Sequence, residues 1–328
     1  MTAPVRLRGL ARADLPVLLA LVQAIEVEDR TDEHYSLADL EEEYADPLLE
    51  PERDWIGAFA DDVLVGYVQL TPRSPSEGRL TMYSGGGVHP ERRGRGIGAQ
   101  LVTALVDRMR DRHREQPGLE AVLLAGGLTS DKAQQRLFTT RGFVADRYRL
   151  VLGVDPLVPT TVPELPRGMR IRGYDPAADG EALRIAHNHA FLGHHPNFAT
   201  WDEGMWRQWV TGNRNFRPDL SFLVVDDDAD GGIAAYVQTN VYAAVEEATG
   251  RKEAYIAKVG TSPEHRGRGL ASAVLRHTLD ACHRAGLDRA CLDVDSDNPS
   301  GAVGLYERAG FALEQHFTDY KLTAPPLG

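Results

Sequence analysis

Three short segments of this chain occur twice, in the same order and at nearly the same spacing. Val5-Arg6-Leu7-Arg8-Gly9-Leu10 returns as Met169-Arg170-Ile171-Arg172-Gly173-Tyr174. His89-Pro90-Glu91-Arg92-Arg93-Gly94-Arg95-Gly96 returns as Ser262-Pro263-Glu264-His265-Arg266-Gly267-Arg268-Gly269, and Leu137-Phe138-Thr139-Thr140-Arg141-Gly142-Phe143 as Leu305-Tyr306-Glu307-Arg308-Ala309-Gly310-Phe311. The offsets are 164, 173 and 168 residues. A period that long, used once, means a duplicated domain and not a short-period solenoid. The length of 328 residues suits two domains. Between the copies, Pro156, Pro159, Pro163 and Pro166 interrupt any regular element. Proline lacks a backbone donor and fixes φ, so a stiff, extended linker is expected over 154–167, separating domains at 1–153 and 168–328.

Each copy repeats one order of elements. A short strand (Val5–Leu7; Arg170–Arg172) leads into helical segments, and Leu15, Leu18, Leu19 and Val22 keep helical spacing in the first copy. A strand pair follows, Trp55–Phe59 with Val63–Leu70 and Ser221–Val225 with Ile233–Val241. Asp61-Asp62 and Asp226-Asp227-Asp228 with Gly231-Gly232 supply the turns. A further strand ends near Val88 or Gly260, where a glycine motif opens a helix; an apolar strand (Ala121–Leu124; Ala290–Val294), a short helix and a Gly-Phe pair complete the copy. Mixed strands flanked by helices make an α/β layer fold.

The bulk properties exclude several classes. Hydrophobic residues are 42% and charged residues 26%, enough apolar content for a core in each half. A net charge of −12 argues against a broad grip on nucleic acid. The opening stretch MTAPVRLRGL holds no signal-peptide core, and no apolar run approaches the roughly 20 residues of a membrane span. The two cysteines, Cys282 and Cys291, suggest neither a disulfide framework nor a metal site. A cytoplasmic protein without metal, nucleic-acid partner or membrane association, either monomer or homodimer, is expected.

Arg93-Gly94-Arg95-Gly96-Ile97-Gly98 and Arg266-Gly267-Arg268-Gly269-Leu270-Ala271 each join a strand to a helix. Glycines let backbone approach a ligand closely, the free N–H groups of a helix's first turn attract anions, and the arginines add permanent charge. Diphosphate is the natural guest. A Walker A loop fails because no Gly-Lys-Ser/Thr follows. A dinucleotide fingerprint fits poorly, since its third small position is Ser272 in the second copy and the motif follows several strands. A loop of purely local structural use is the third reading, and its repetition in the same context disfavours it.

Both halves resemble the GNAT N-acetyltransferases, whose hallmark is Arg/Gln-x-x-Gly-x-Gly/Ala at this strand–helix junction. The resemblance implies two tandem acyl-CoA N-acyltransferase folds, each a mixed, mostly antiparallel sheet flanked by helices, with acetyl-CoA as co-substrate. It implies that backbone around Arg266, Gly267, Arg268, Gly269, Leu270, Ala271 and Ser272 holds the pyrophosphate. Val259, Gly260 and Thr261 would pair with the pantetheine arm and offer an N–H to the acetyl carbonyl. Gly87 and Val88 with Arg93, Gly94, Arg95, Gly96, Ile97 and Gly98 would do the same in the first half.

Family chemistry is direct attack of a neutral amine on the thioester, with a backbone N–H for the oxyanion and an acid for the departing thiolate. In the second half Asn298 and Ala302-Val303-Gly304-Leu305-Tyr306 resemble the family's Asn-x-x-Ala-x-x-Leu-Tyr pattern with one extra residue. That implies Asn298 at the CoA arm and Tyr306 as general acid. The first half has Ser130 and Phe138 there, and phenylalanine donates no proton, so catalysis is expected in the second half alone.

Glu253 is the first choice of base, since side-chain alternation puts Glu253, Tyr255 and Ala257 on one strand face. The acceptor site is expected near the early helices of the second half, where His187, Asn188, His189, Phe191, His194 and His195 precede Trp201, Trp206 and Trp209. His194 and His195, beside Pro196, are the candidates for substrate contact. Mycothiol synthases share the tandem plan and the bias toward the second half. Against their pattern, Asp293 stands where a tyrosine is expected and Tyr255 where a glutamate is expected, which counts against the mycothiol precursor as acceptor; Tyr255 and Asp293 are expected to contact the substrate. The expected partner is therefore a small-molecule amine; mycothiol synthesis and an acyl-CoA-binding protein without turnover are the alternatives.

Overall fold

A computed structural model describes residues 4–192, 200–229, 231–296 and 301–327. The first copy contains β1 (Arg6–Gly9), α1 (Leu15–Asp29), α2 (Leu37–Tyr44), α3 (Pro51–Asp54), β2 (Trp55–Ala60), β3 (Val63–Pro72), β4 (Arg79–Val88), α4 (Ile97–Glu115), β5 (Glu120–Leu128), α5 (Lys132–Thr139) and β6 (Val144–Val154). The second contains β7 (Met169–Gly173), α6 (Gly180–Phe191), α7 (Glu203–Trp206), β8 (Phe222–Asp226), β9 (Gly232–Asn240), α8 (Ala243–Thr249), β10 (Glu253–Thr261), α9 (Leu270–Arg284), β11 (Arg289–Asp295), α10 (Ala302–Arg308) and β12 (Ala312–Ala324). The expected strands and helices of both copies lie within or beside these elements. Among the described residues, no helix is long and apolar enough to cross a membrane.

The chain packs as two compact units that do not follow the linear boundary. Residues 1–149 and 316–328 form one; residues 150–315 form the other. Sequence reading placed 316–328 with the second copy. In the structure Phe317–Ala324 of β12 pairs antiparallel with β5, from Phe317 opposite Leu128 to Ala324 opposite Ala121. The sheet order in the first unit is β1-β2-β3-β4-β5-β12. In the second it is β7-β8-β9-β10-β11-β6, and Leu152 of β6 is buried in that unit's core. Each copy thus closes with the final strand of the other. The proline stretch is not a free spacer: Leu157 is buried and its N–H donates to Asp288 O at 2.8 Å.

Helices cover both faces of each sheet because the strands are apolar on both. In the second unit Leu270, Val274, Leu275 and Leu279 of α9 pack with Val224, Val237, Ile256 and Leu292 on one face. Leu183 of α6 with Trp206, Leu223, Val225 and Tyr236 fill the other. Full burial of each such leucine contributes about 1.5–3 kcal/mol. In the first unit α4 takes the place of α9 through Ile97, Leu101, Val102, Leu105 and Met109.

Candidate active site

Both glycine loops take one backbone form. Gly94 and Gly96 have φ of +73° and +79°; Gly267 and Gly269 have +73° and +78°. Gly96 and Gly269 are the N-caps of α4 and α9, and neither helix has a side-chain cap bond. The first-turn N–H groups therefore face a loop that is exposed and whose glycines have open space around them. The motif's first arginine is a brace: Arg93 Nε donates to Val88 O at 3.1 Å and Arg266 Nε to Thr261 O at 3.4 Å. Arg93 also pairs with Asp29 at 2.6 Å, while Arg266 donates to Ala190 O at 2.7 Å.

The strand leading into each loop leaves its parallel neighbour early. β10 and β11 are in register only from Glu253–Arg289 to Tyr255–Cys291, although both strands run on. β4 and β5 likewise pair only from Arg79–Glu120 to Ser84–Ala125. Past those points the strand edges can pair with an extended ligand, and in the second unit the stretch includes Val259, Gly260 and Thr261. Gly260 must be glycine, since a Cβ there would lie 2.3 Å from the Tyr236 ring.

Tyr306 on α10 is buried beside Phe311, ring centroids 5.9 Å apart. Burial pushes its phenol up to about 12, which keeps it protonated at neutral pH. Phe138 and Phe143 repeat this packing in the first unit at 5.2 Å, and Tyr320 lies 5.3 Å from Phe138.

Glu253 shares a face with Tyr255 and opens β10, seven residues or about 23 Å of strand before Gly260. Its buried carboxylate pairs with Arg289 at 3.2 Å and accepts from Cys291, so a structural ion pair occupies it. Tyr255 and Asp293, by contrast, come together: the phenol donates to Asp293 Oδ2 at 3.1 Å across adjacent strands. His194, His195 and Asn298 lie outside the described residues.

Tyr236, Gln238, Asn240 and Lys258 line the same sheet face, beneath α6. His187 of α6 packs on Phe191, Trp201 and Trp206, and a 2.6 Å hydrogen bond joins its Nδ1 to Tyr236 Oη. Burial and the nearby Lys258 pull the imidazole down to about 3, so it is neutral. Lys258, half-buried, lies over the Trp201 ring at 4.3 Å, and burial pulls its ammonium down to about 8. Gln238 stands opposite Lys258 in the β9–β10 register, and Asn240 stands opposite Tyr255. Sequence reading missed Lys258, Tyr236, Gln238 and Asn240. One signal was present for Lys258, a single cation in the apolar run Ala254-Tyr255-Ile256-Ala257-Lys258-Val259 of a chain with four lysines. Among the described residues no cluster of His, Cys, Asp or Glu could hold a metal ion.

A sequence model of the acetyltransferase (GNAT) family matches residues 18–143 and again 182–311. The chain belongs to the GNAT acetyltransferase family. It is an N-acetyltransferase built of two such folds, in a family whose co-substrate is acetyl-CoA. It is similar to a protein named mycothiol acetyltransferase from Thermobispora bispora, 32% identical over 265 residues that cover 77% of this chain and 78% of that one. A protein of the same name from Streptomyces avermitilis is 33% identical over 266 residues, covering 79% and 76%. Among solved structures, a GCN5-related N-acetyltransferase from Sphaerobacter thermophilus has a TM-score of 0.78 and 25% identity, covering 100% of this chain and 98% of that one. A tandem GNAT protein from the clavulanic acid biosynthesis pathway has a TM-score of 0.68 and 17% identity, covering 99% and 100%. Its fold agrees with the tandem reading.

Proposed function

We propose that the second unit transfers the acetyl group of acetyl-CoA to the primary amine of a small-molecule acceptor, and that the first unit does not catalyse. The observation that carries this reading is that the second unit alone combines the open glycine loop with Tyr306; the first has the loop and Phe138.

The amine nitrogen attacks the thioester carbonyl carbon, forming the C–N bond. A backbone N–H of the 259–261 segment, fixed in advance by the sheet, stabilises the oxyanion. As the C–S bond breaks, the Tyr306 phenol hydrogen-bonds the departing sulfur and supplies its proton. The ammonium proton goes to Asp293, directly or through water, with Tyr255 orienting the carboxylate.

The test is acetyl-CoA turnover over a panel of amines, with wild type and Tyr306→Phe. The expected loss in kcat is about 10²–10³, the range of a positioned general acid, with KM for acetyl-CoA little changed. Unchanged turnover would remove Tyr306 from the mechanism.

A second reading has its own support in the relatives named mycothiol acetyltransferase. It makes the mycothiol precursor the acceptor, and turnover with that amine well above the rest of the panel would establish it.

A further inference from the structure

The face carrying Tyr255 and Asp293 holds more buried polarity than the transfer chemistry uses. Alternation along β9 puts Tyr236, Gln238 and Asn240 on one face, and the β9–β10 register sets them opposite Gly260, Lys258 and Tyr255 in turn. Lys258 Nζ rests on Trp201 and forms no ion pair or hydrogen bond with any described residue. Gln238 is 1% exposed, and neither its Oε1 nor its Nε2 has a partner among the described residues. Asn240 is 4% exposed; its Nδ2 donates to Tyr242 Oη, and its Oδ1 has no partner among them.

Buried polar groups in folded proteins are satisfied, and a half-buried ammonium without an ion pair is open to a counter-charge from outside the chain. An unmatched cation beside an unmatched amide is what remains when one partner in a set of hydrogen bonds is a ligand. The first unit shows such a set complete: Gln69, at the matching place on β3 opposite Gly85, is hydrogen-bonded to the carboxyl of Glu43. The second unit has the same glutamine, gains the lysine and has no described carboxyl on that glutamine.

We propose that Lys258 and Gln238, with Asn240 beside them, bind a carboxylate of the acceptor, so that the substrate is an amine that also carries a carboxylate group. This rests on the acetyl-transfer reading for the amine's fate, but the anion site is testable without turnover. One ammonium balances the single charge of a carboxylate, whereas a phosphate monoester brings nearly two. The amides of Gln238 and Asn240 suit an ion that accepts from several donors. Lys258 is a specificity-determining residue here and takes no part in bond making.

The protein is assayed against dipeptides and ω-amino acids, each beside its carboxamide counterpart, with phosphoethanolamine as a third arm. Wild type is expected to favour the carboxylates in kcat/KM by about 10–100-fold, the range of one charge-assisted hydrogen bond. In Lys258→Met that ratio is expected to fall to about one, while Lys258→Arg retains part of it. Binding is read separately, as the shift in Tm caused by the N-acetylated carboxylates and by their amides in the presence of CoA. A shift with the carboxylates that Lys258→Met abolishes supports the site. If such a shift occurs and no amine is acetylated, the anion site stands and the acetyl-transfer reading falls. Equal ratios or equal shifts for carboxylate and amide in wild type would overturn the proposal, as would a preference for phosphoethanolamine.

Discussion

Where β3 meets β4 in the first unit, Gln69 lies opposite Gly85 and holds the carboxyl of Glu43; where β9 meets β10 in the second, Gln238 lies opposite Lys258 and has no described partner. The pairing matches at two positions, a tyrosine facing a glycine, Tyr67 opposite Gly87 and Tyr236 opposite Gly260, but β10 carries a bulge between Ile256 and Lys258 that β4 lacks. In the first copy the chain's own side chains fill this face. A Cβ on Gly87 would meet Ile25 Cδ1 at 2.8 Å, and burial with nearby Asp39 raises Glu43 to about 7. Among the described residues, the second copy keeps a cation and amides there without a carboxyl on the glutamine. Both copies keep the glycine loop in one backbone form, and the difference between them falls on the face proposed to meet the acceptor.

Phe138 sharpens the contrast. It occupies the same packing as Tyr306, so the fold accepts a phenyl ring there and the hydroxyl is not needed for stability. The largest expected effect follows: Tyr306→Phe lowers kcat by about 10²–10³ with Tm unchanged, and Phe138→Tyr adds no turnover. A gain from Phe138→Tyr would break the assignment of catalysis to one unit. A smaller loss, about 10-fold, is expected for Tyr255→Phe, because Asp293 keeps its carboxylate and loses only its orienting donor; Asp293→Asn should cost more than Tyr255→Phe. The reverse order, measured as kcat on one acceptor, would make the phenol the primary group.

The smallest effect is on stability. Glu43 has a folded pKa of about 7 against an ordinary 4.5, so the native state holds the extra proton between those values. Its favourable contribution is present below pH 4.5 and is lost as pH rises through 7. Glu43→Gln should therefore gain on wild type as pH rises across that window, by on the order of 1 kcal/mol above pH 7, read from denaturant midpoints. A constant difference across pH would show that Glu43 is not held protonated.

The duplication, the strand and helix order, the paired loops and the Tyr306–Phe138 difference were all legible because each rests on local pattern. The exchange of β6 and β12 was not, since either strand could close either sheet and pairing is decided by distant partners. Alternation puts Glu253 on the Tyr255 face, but its pairing with Arg289 depends on the β10–β11 alignment, which sequence does not place. Asp293 was noticed only as a departure from a pattern; its bond to Tyr255 needs the β10–β11 alignment. Gln238 gave no signal, because an amide is informative only once its burial and its missing partner are known.

The central claim is that acetyl-CoA is turned over in the second unit alone, and a matched glycine pair tests it. Gly96 and Gly269 have nearly the same positive φ, and a Cβ at either meets nothing within 4 Å, so valine at either imposes a similar backbone penalty of about 1–2 kcal/mol. Steady-state kcat/KM for acetyl-CoA is expected to fall about 10-fold in Gly269→Val and to hold at the wild-type value in Gly96→Val. Loss in Gly96→Val with full turnover in Gly269→Val would contradict the account and move catalysis to the first unit.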